Sequence, residues 1–575
     1  MNSQSRSRQP RGQGKNDGMQ LGDLAIGELN IYPPFLRATT TMSLYLWILR
    51  VSILHSFLTI LVSAATAEEW RGRRIYQVLT DRFAREDNTA APCDTSERTY
   101  CGGTWKGITS HLDYIQQLGF DAVWISPIVA NVEGVTAYGE AYHGYWPKDI
   151  TKLNENFGTA DDLKTLSQAL HSRGMYLMVD VVVNHFVVIP SADGSLDFSS
   201  SVPFSSSSSF HPRCTISDAD YTQNQTAVEL CWLGDDNLPL ADLNTEDPAI
   251  VQTLLDWVKE TVEEYSIDGL RIDTVKHVRK DFWPAFAKAA GVYTLGEVLI
   301  DDVDYAAPYT QVIDSVLDYP TFFAVTSAFK SNTGNVTAIP DVVTRSQTAY
   351  DGGLFISGSF LENHDQPRFQ SLTTDQSLVK NAIAWTFVQD GIPILYSGQE
   401  QGYEGGADPA NREALWPSGY LTDKSLVTHV KALNNARKLA GAANTNFHTT
   451  PVQFISQTDS STLAISKPPL LTLLTNAGET PSSSPEWTIP ASAGLFGAGT
   501  MLVDVLTCQG TTVDSDGRVS VRASAGAPKV FLPATVLTKD GGLCPDAATS
   551  GAAQRGWSVF LMSLSIGVVL LGTTI

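Results

Sequence analysis

Alternation of strand-like and helix-like segments is the feature that most constrains the fold of this chain. From Trp70 to about Arg437, short apolar or β-branched runs alternate with amphipathic stretches. The clearest helical stretches are residues 107–118, 161–171 and 248–265. Eight strands that alternate with helices predict an α/β fold, a closed parallel (β/α)8 barrel. The predicted strands are residues 74–79, 122–126, 176–182, 269–273, 292–296, 312–316, 354–361 and 392–396.

Two regions depart from this alternation. The connection between Val182 and Gly269 is too long for one loop and one helix, and it contains the Ser-rich run 199–209. We therefore expect a small domain inserted after the third strand. Beyond about residue 440, short β-prone runs are separated by Gly, Ser and Pro, which predicts a C-terminal antiparallel β-sandwich. The predicted domains are a barrel at 68–440, its inserted subdomain at 186–243, and a β-sandwich at 441–545.

The six cysteines fall into pairs by their proximity along the chain. Six cysteines allow 15 pairings, so proximity leaves other pairings, and six free thiols, open. There is no Cys-x-x-Cys in the sequence, which argues against a zinc ribbon or a redox dithiol. The proximity pairs are Cys93 with Cys101, Cys214 with Cys231, and Cys508 with Cys544.

An apolar segment near the start of the chain predicts entry into the secretory pathway. Residues 43–62 precede Ala65-Thr66-Ala67, a small-x-small pattern typical of signal-peptide cleavage. We assign residues 42–67 to this signal. Residues 1–41 are then a disordered tail or an extension upstream of a true start at Met42.

A second apolar segment, residues 557–572, follows a cluster of small residues that begins at Ser550. This layout is typical of a glycosylphosphatidylinositol (GPI) attachment signal, here residues 546–575 with Ser550 as the attachment site. A C-terminal tail-anchor helix is the alternative. The predicted location is the extracellular face of the plasma membrane or the cell wall, with glycosylation at Asn224 and Asn335.

The balance of charge limits the classes of partner. The formal net charge is −22, which argues against nucleic acid and against an anionic membrane surface. A neutral sugar is compatible with this charge. We expect the protein to bind a membrane through the lipid anchor. We also expect it to be a monomer.

Three acidic residues, Asp273, Glu297 and Asp365, each follow a strand-like run. Acidic side chains at the C-terminal ends of barrel strands are the arrangement that (β/α)8 barrels use for catalysis. Two carboxyl groups at close range can break a glycosidic bond. Each residue taken alone is equally well explained as a structural ion-pair partner, so the prediction rests on their occurring together.

The segments around these residues resemble the α-amylase family of glycoside hydrolases in its secreted fungal form. The resemblance covers residues 68–545 and rests on six motifs in order. It also implies the three cysteine pairs that proximity suggests. The motifs are TDRF at 80–83, AYHGYW at 141–146, DVVVNH at 180–185, GLRIDTVKH at 269–277, GEV at 296–298 and ENHD at 362–365.

The resemblance implies a role for each acidic residue. Asp273 is the nucleophile, Glu297 is the general acid and base of a retaining reaction, and Asp365 holds sugar hydroxyls. Arg271 lies two residues before Asp273 on the same strand face, where its charge is expected to lower the pKa of Asp273. The implied substrate-binding residues are Tyr145, Trp146, His185, Arg271, Lys276, His277, His364, Asp408 and Arg412.

A calcium ion between the barrel and the inserted subdomain is also implied. Its ligands are the side chains of Asn184 and Asp242 and the backbone carbonyls of Glu229 and His277, an oxygen-only set that suits Ca²⁺. Residues 240–244 read LADLN where the family has LPDLD, and this difference puts the affinity for calcium in doubt.

Three functions remain open at the level of sequence. The first is endo-type hydrolysis of α-1,4-glucan through a covalent glycosyl-enzyme. The second is a 4-α-glucanotransferase acting on cell-wall α-glucan, which uses the same three carboxyl groups but passes the sugar to another hydroxyl. The third is a non-catalytic glucan-binding protein, which the intact set of Asp273, Glu297 and Asp365 disfavours.

Overall fold

The computed structural model describes residues 65–191, 193–455, 460–481, 484–537 and 542–547. The predicted extension, most of the predicted signal peptide, and most of the predicted GPI signal with Ser550 lie outside the described residues and stay predictions. Within these ranges the protein has no helix that is both long and apolar enough to cross a membrane.

Eight parallel strands form the predicted barrel. They are β1 Ile75–Gln77, β2 Ala122–Ile125, β3 Tyr176–Val181, β4 Gly269–Ile272, β5 Tyr293–Gly296, β6 Ser315–Val316, β7 Gly358–Ser359 and β8 Ile392–Tyr396. Around the sheet the order is β6-β5-β4-β3-β2-β1-β8-β7, and a parallel bridge between Leu317 and Gly358 links its two ends. The barrel is confirmed. The predicted strand 354–361 is shorter than expected, because a succession of turns occupies residues 351–356.

Helices cover the outside of the barrel. The helices that follow the barrel strands are α1 Trp105–Ser110, α2 Leu112–Gln117, α3 Ala160–Ser172, α4 Pro248–Tyr265, α5 Trp283–Ala290, α6 Tyr319–Phe329, α7 Ala338–Ala349, α8 Gln376–Val388 and α9 Ser425–Ala443. Single-turn or two-turn helices occur at Ala67–Trp70, Thr80–Phe83, Asp220–Gln223, Gln225–Leu230, Val303–Ala306 and Phe369–Leu372.

Local capping explains the helix boundaries. The helix α4 has the predicted bounds because the side chain of Asp247 accepts a hydrogen bond from the Ala249 N–H and Ser266, with φ of 50°, ends it. The predicted helix 107–118 is divided in two, because His111 at φ −117° and ψ 15° leaves the helical region.

Two small antiparallel sheets follow the C-terminal ends of β2 and β3. The first pairs Val129–Asn131 with Pro147–Leu153. The second belongs to the inserted region and consists of His185–Val187, Pro239–Asp242 and Leu233–Gly234, in that order across the sheet. Both sheets stand beside the barrel end at which catalytic groups are expected.

The C-terminal region is built from antiparallel strands, as predicted. They are β9 Gln453–Ile455, β10 Thr462–Lys467, β11 Leu470–Thr475, β12 Glu486–Ile489, β13 Met501–Asp504, β14 Gln509–Thr512, β15 Val519–Arg522 and β16 Lys529–Pro533. A six-stranded sheet has the order β9-β10-β11-β16-β13-β14, and β12 pairs with β15. Trp487 of the two-stranded sheet packs in one buried cluster with Leu473 and Phe531 of the larger sheet.

All six cysteines form disulfides, in the three predicted pairs. The bonds span 8, 17 and 36 residues. Closure of loops of this size stabilises a folded chain by roughly 2–4 kcal/mol each.

Candidate active site

Strand register brings two of the three acidic residues to one level of the barrel. Ile272 of β4 is paired with Gly296 of β5, and Asp273 and Glu297 are the residues that follow directly. A Cβ atom at position 296 would lie 2.3 Å from the Cδ1 of Ile313, so a side chain there would displace Ile313. The two carboxyl groups therefore leave neighbouring strands side by side at the C-terminal end.

The buried guanidinium of Arg271 joins these carboxyl groups. Its Nη1 donates to Asp273 Oδ1 at 2.7 Å and to Asp180 Oδ1 at 3.0 Å, and its Nη2 lies 3.1 Å from Glu297 Oε2. Asp180 reaches the same cation because it is in register with Arg271 across β3 and β4. One cation thus holds three carboxyl groups in a single cluster.

The net effect of this environment on Asp273 differs from the sequence expectation. Burial raises the pKa of Asp273 to about 8, with the neighbouring Glu297 and Asp180 acting in the same direction and Arg271 opposing them. Arg271 lowers the pKa of Asp273 as predicted, but in the substrate-free protein removal from water outweighs the ion pair and the net shift is upward. Removal from water therefore favours a protonated cluster over one with three carboxylates.

The backbone at Thr274 holds the second oxygen of Glu297 in place. Thr274 N–H donates to Glu297 Oε2 at 3.1 Å. Thr274 has φ of 48°, a left-handed conformation that is rare for a β-branched residue. Strained backbone of this kind is typical of functional sites, and here it turns an N–H toward a carboxylate. The other oxygen, Oε1, lies 3.5 Å from the hydroxyl of Tyr319.

Asp365 is the most exposed of the three acidic residues, with 36% of its side chain accessible. Its Oδ2 lies 3.2 Å from His364 Nε2 and its Oδ1 lies 3.2 Å from Arg412 Nη2. Arg412 also contacts Asp408 Oδ1 through Nη1 at 3.0 Å, and Arg98 reaches the other oxygen of Asp408 at 3.3 Å. The predicted set of His364, Asp365, Asp408 and Arg412 is therefore one connected network.

Two of the predicted histidines, His185 and His364, are neutral at neutral pH. Burial lowers the pKa of His185 to about 4. Burial, with Arg271 and Arg412 nearby, lowers the pKa of His364 well below its ordinary value. Gln77 Nε2 donates to His364 Nδ1 at 2.8 Å, so the His364 proton is on Nε2 and points at Asp365.

The aromatic residues after β2 are held rigidly. The ring of Tyr145 stacks on His364 with centroids 5.1 Å apart and planes inclined by 5°, and its hydroxyl donates to Asp180 Oδ2 at 2.6 Å. Trp146 packs at a right angle against His143 with centroids 4.5 Å apart. Because these contacts restrain the rings, they present fixed faces to the space above the carboxyl groups.

These groups surround a cleft of about 330 Å³. Eight of the predicted site residues line it: Tyr145, Trp146, His185, Asp273, Glu297, Asp365, Asp408 and Arg412. Arg271 and His364 lie beneath this lining, where they contact Asp273 and Asp365.

Comparison with known proteins identifies the family of the chain. The family described as the catalytic domain of alpha amylase matches residues 77–419, and the family described as alpha-amylase domain C matches residues 455–552. The chain belongs to the α-amylase family of glycoside hydrolases.

Several members of the α-amylase family are similar over most of this chain. Alpha-amylase 1 of Lipomyces kononenkoae is 48% identical over 482 residues, which cover 84% of this chain and 76% of the relative. Alpha-amylase of Saccharomycopsis fibuligera is 43% identical over 477 residues, 83% of this chain and 94% of the relative. A solved α-amylase structure from Malbranchea cinnamomea has a TM-score of 0.79 at 46% identity and covers 84% of this chain and all of that one.

Two predicted amylase subsite residues lie outside the cleft lining. Lys276 donates from Nζ to the carbonyl of Leu299 at 2.8 Å. The ring of His277 is buried, with Nδ1 3.0 Å from the carbonyl of Val228. Their roles on the acceptor side stay predictions.

The structure adds residues that sequence reasoning missed. Tyr142 and His143 lie inside the quoted motif 141–146, so the motif already contained them. Arg98 comes from the loop closed by a disulfide, and no local pattern marks it. The residues that line the cleft but were not predicted are Arg98, Tyr138, Tyr142, His143, Leu233, Leu240 and Thr274.

Three of the predicted calcium ligands lie together where β3 meets the inserted sheet. One terminal atom of the Asn184 carboxamide is 3.0 Å from the His277 carbonyl oxygen and 2.9 Å from Asp242 Oδ1. The other terminal atom is 3.3 Å from His185 Nδ1, and His185 Nε2 is 3.2 Å from the Tyr145 carbonyl. Which atom is oxygen decides what this cluster can bind.

The hydrogen bonds of His185 favour an oxygen-lined cation site. If the first atom of Asn184 were nitrogen, it would donate to the His277 carbonyl and to Asp242 Oδ1, but the amide oxygen would require the proton of neutral His185 on Nδ1, and bare Nε2 would face the Tyr145 carbonyl. If the first atom is oxygen, the amide donates to Nδ1, Nε2–H donates to Tyr145, and three oxygens converge. The residues therefore fit an oxygen-ligated cation.

The fourth predicted ligand, the carbonyl of Glu229, belongs to a helix beside this cluster. The side chain of Glu229 accepts from Gln225 Nε2 at 2.8 Å. Over the described ranges there is no cluster of three or more His, Cys, Asp or Glu side chains suited to a metal. The predicted calcium site differs from such a cluster, because its ligands are one carboxylate, one amide and two backbone carbonyls.

The two predicted glycosylation asparagines are both exposed. Asn224 caps the helix Gln225–Leu230 through a bond from the Ala227 N–H at 3.3 Å. Asn335 lies between α6 and α7, and its Oδ1 accepts from Thr337 N at 2.9 Å. Modification of either residue stays a prediction.

Proposed function

We propose that this protein hydrolyses α-1,4-glucan by a retaining mechanism through a covalent glycosyl-enzyme. The observation that carries the proposal is the arrangement of Asp273 and Glu297 side by side on Arg271 at the base of an open cleft. A shared cation brings both carboxyl groups to one reacting centre, as a double displacement requires.

The first step is attack by Asp273 on the anomeric carbon. Arg271 stabilises the carboxylate form of Asp273 when the cluster's proton is on Glu297. Asp273 forms the new carbon–oxygen bond while Glu297 delivers its proton to the leaving oxygen. The charge cluster therefore supplies both the nucleophile and the acid from one shared proton.

The second step reverses these roles. Glu297, now a carboxylate, removes a proton from water as the water oxygen attacks the anomeric carbon, and the bond to Asp273 breaks. The Thr274 N–H and Arg271 hold Oε2, so Glu297 keeps the same position in both steps. Configuration at the anomeric carbon is retained because it is inverted twice.

The surrounding residues bind the sugar. Asp365 is the exposed acceptor beside the two buried carboxyl groups, and it accepts sugar hydroxyls while Arg412 and His364 fix its two oxygens. Tyr145 and Trp146 offer aromatic surface to pyranose rings. We place Asp408 and Arg412 at the next sugar, because their ion pair also lines the cleft.

Calcium is part of the proposal. Asn184, Asp242 and the carbonyls of His277 and Glu229 would hold the ion, with the converging oxygens as support. A bound ion would cross-link the inserted sheet to the barrel end. No chemical step depends on it.

We place the protein outside the cell, held at the membrane by a GPI lipid and glycosylated at Asn224 and Asn335. The support is the apolar segments 43–62 and 557–572 and the exposure of both asparagines. Three disulfides agree with an oxidising compartment.

Product analysis from maltopentaose tests the function. Hydrolysis gives only sugars shorter than the substrate, and early products have the α configuration. Products longer than maltopentaose at low substrate concentration would assign the protein as a glucanotransferase instead. An Asp273→Asn variant is the control for both outcomes, and glucan binding by the wild type without any turnover would leave only a binding role.

A further inference from the structure

A buried tyrosine hydroxyl faces the free oxygen of the candidate acid and base. Arg271 and the Thr274 N–H both contact Oε2 of Glu297, at 3.1 Å each. Within the described residues, the hydrogen-bonding partner of Oε1 is the hydroxyl of Tyr319, at 3.5 Å. Tyr319 is fully buried. A proton on Glu297 resides on Oε1, because two N–H groups already point at Oε2.

The direction of the tyrosine hydrogen follows from Asn363. The Oδ1 of Asn363 accepts from the N–H groups of Asp365 at 2.9 Å and Gln366 at 2.8 Å, so the amide orientation is fixed. Its Nδ2 therefore donates to the hydroxyl oxygen of Tyr319 at 2.9 Å. The tyrosine's own hydrogen must go to another acceptor, since buried polar groups are paired, and that acceptor is Glu297 Oε1.

We propose that Tyr319 is a positioning residue that donates to Oε1 of Glu297 and sets the pH range over which Glu297 can act as the acid. The proposal rests on the proposed role of Glu297. Asn363, Tyr319 and Glu297 then form a relay, a chain of hydrogen bonds that begins at the backbone N–H of Asp365.

This hydrogen bond acts differently on the two forms of Glu297. A carboxylate accepts a hydrogen bond more strongly than a carboxylic acid does. The bond from Tyr319 therefore strengthens as the proton leaves Oε1 in the first step, and it is fully formed on the base that the second step needs. Interactions that strengthen toward the transition state increase the rate.

The packing of Tyr319 allows its hydroxyl to be removed alone. The ring contacts Phe360 with centroids 4.9 Å apart and Phe322 with centroids 5.8 Å apart. These contacts do not involve the hydroxyl, so Tyr319→Phe keeps the ring in place. Tyr350 offers a matched control, because it is also buried and its hydroxyl is 3.4 Å from a carboxyl group, that of Asp318, which does not line the cleft.

The experiment compares the pH dependence of kcat/KM for wild type, Tyr319→Phe and Tyr350→Phe on an aryl maltotrioside. Without the donor, Glu297 keeps its proton to higher pH. The basic limb of Tyr319→Phe should therefore move upward by about half to one pH unit, with kcat reduced about 3- to 10-fold at the optimum. The Tyr350→Phe profile should superimpose on the wild type. Melting temperatures establish that both variants are folded.

A folded Tyr319→Phe variant whose basic limb coincides with the wild type overturns the proposal. A shift of the same size in Tyr350→Phe overturns it too, since the effect would then be general. Failure of the proposed function can be told apart from failure of this proposal, because only the former would leave Glu297→Gln active. If Glu297→Gln is inactive and Tyr319→Phe is unchanged, the function stands and the relay does not.

Discussion

Replacement of Glu297 by Gln isolates the proton that the proposed mechanism transfers. The amide oxygen of the variant can accept from Arg271 and from the Thr274 N–H, which now contact Oε2 at 3.1 Å. Its NH2 group then faces the hydroxyl of Tyr319, which can accept a hydrogen bond. Because the contacts to Arg271 and Thr274 are kept and only the acceptor of the Tyr319 hydrogen is lost, the fold and the cleft should persist while the acid and base are lost.

The size of the loss depends on the leaving group. General acid catalysis contributes about 10²–10⁴-fold, or about 2.7–5.4 kcal/mol of activation free energy. Hydrolysis of maltopentaose should fall by at least this factor, since a sugar oxygen must be protonated to leave. Fluoride leaves without a proton, so the first step with α-maltosyl fluoride should stay within about tenfold of wild type.

The second step supplies an independent signature. Glu297→Gln lacks the base that activates water, so the glycosyl-enzyme should accumulate on Asp273 and be visible by mass spectrometry. Azide needs no base, and its addition should restore turnover and give α-maltosyl azide. Equal losses in the rate of the first step on maltopentaose and on the fluoride would refute the assignment of Glu297, and wild-type activity on maltopentaose would refute it outright.

Glu362→Gln is the matched control. Glu362 is also buried, with an arginine, Arg368, 3.3 Å from Oε2 and a backbone N–H, that of Phe369, donating to Oε1 at 2.9 Å. Burial raises the pKa of Glu362 to about 7, and Arg368 keeps a second carboxyl partner, Glu413, at 2.9 Å. This variant should keep wild-type selectivity between the two substrates, because Glu362 does not line the cleft.

Three further outcomes are expected. Arg271→Met leaves three buried carboxyl groups without their cation and should lower the free energy of unfolding by about 3–5 kcal/mol in urea titrations. Adding Asp180→Asn should restore part of this loss. Unchanged stability of Arg271→Met would contradict the charge cluster. Chelation by EDTA should lower the melting temperature, but not in Asp242→Asn, and no change in the wild type would remove calcium from the account. Asp268 raises the pKa of His171, so the stabilisation is present below the ordinary histidine pKa and lost as pH rises through the raised value. The melting temperature of His171→Gln should therefore fall below wild type more at about pH 5 than at about pH 9, and an equal gap would contradict this assignment.

Local pattern was sufficient for much of the architecture. Eight strands and the helix α4 could be predicted because hydrophobic periodicity, a Pro at the first helical position and a capping Asp are properties of neighbouring residues. The cysteine pairs could be predicted because the resemblance to the family implies the same pairing that proximity suggests. The true length of strand β7 could not be predicted, because the number of its residues that form ladder hydrogen bonds depends on the neighbouring strands β6 and β8.

The sequence by itself determined the family, the barrel and the identity of the three acidic residues, because motif order and periodicity are properties of the chain. Tertiary structure alone decided the electrostatics. Burial reverses the expected shift of the Asp273 pKa, and Arg271 serves three carboxyl groups where one was predicted. It also decided that Tyr319 meets Glu297, 22 residues away. Charge and hydrogen-bond energies depend on distance through space and on removal from water, and the spacing of residues along the sequence determines neither.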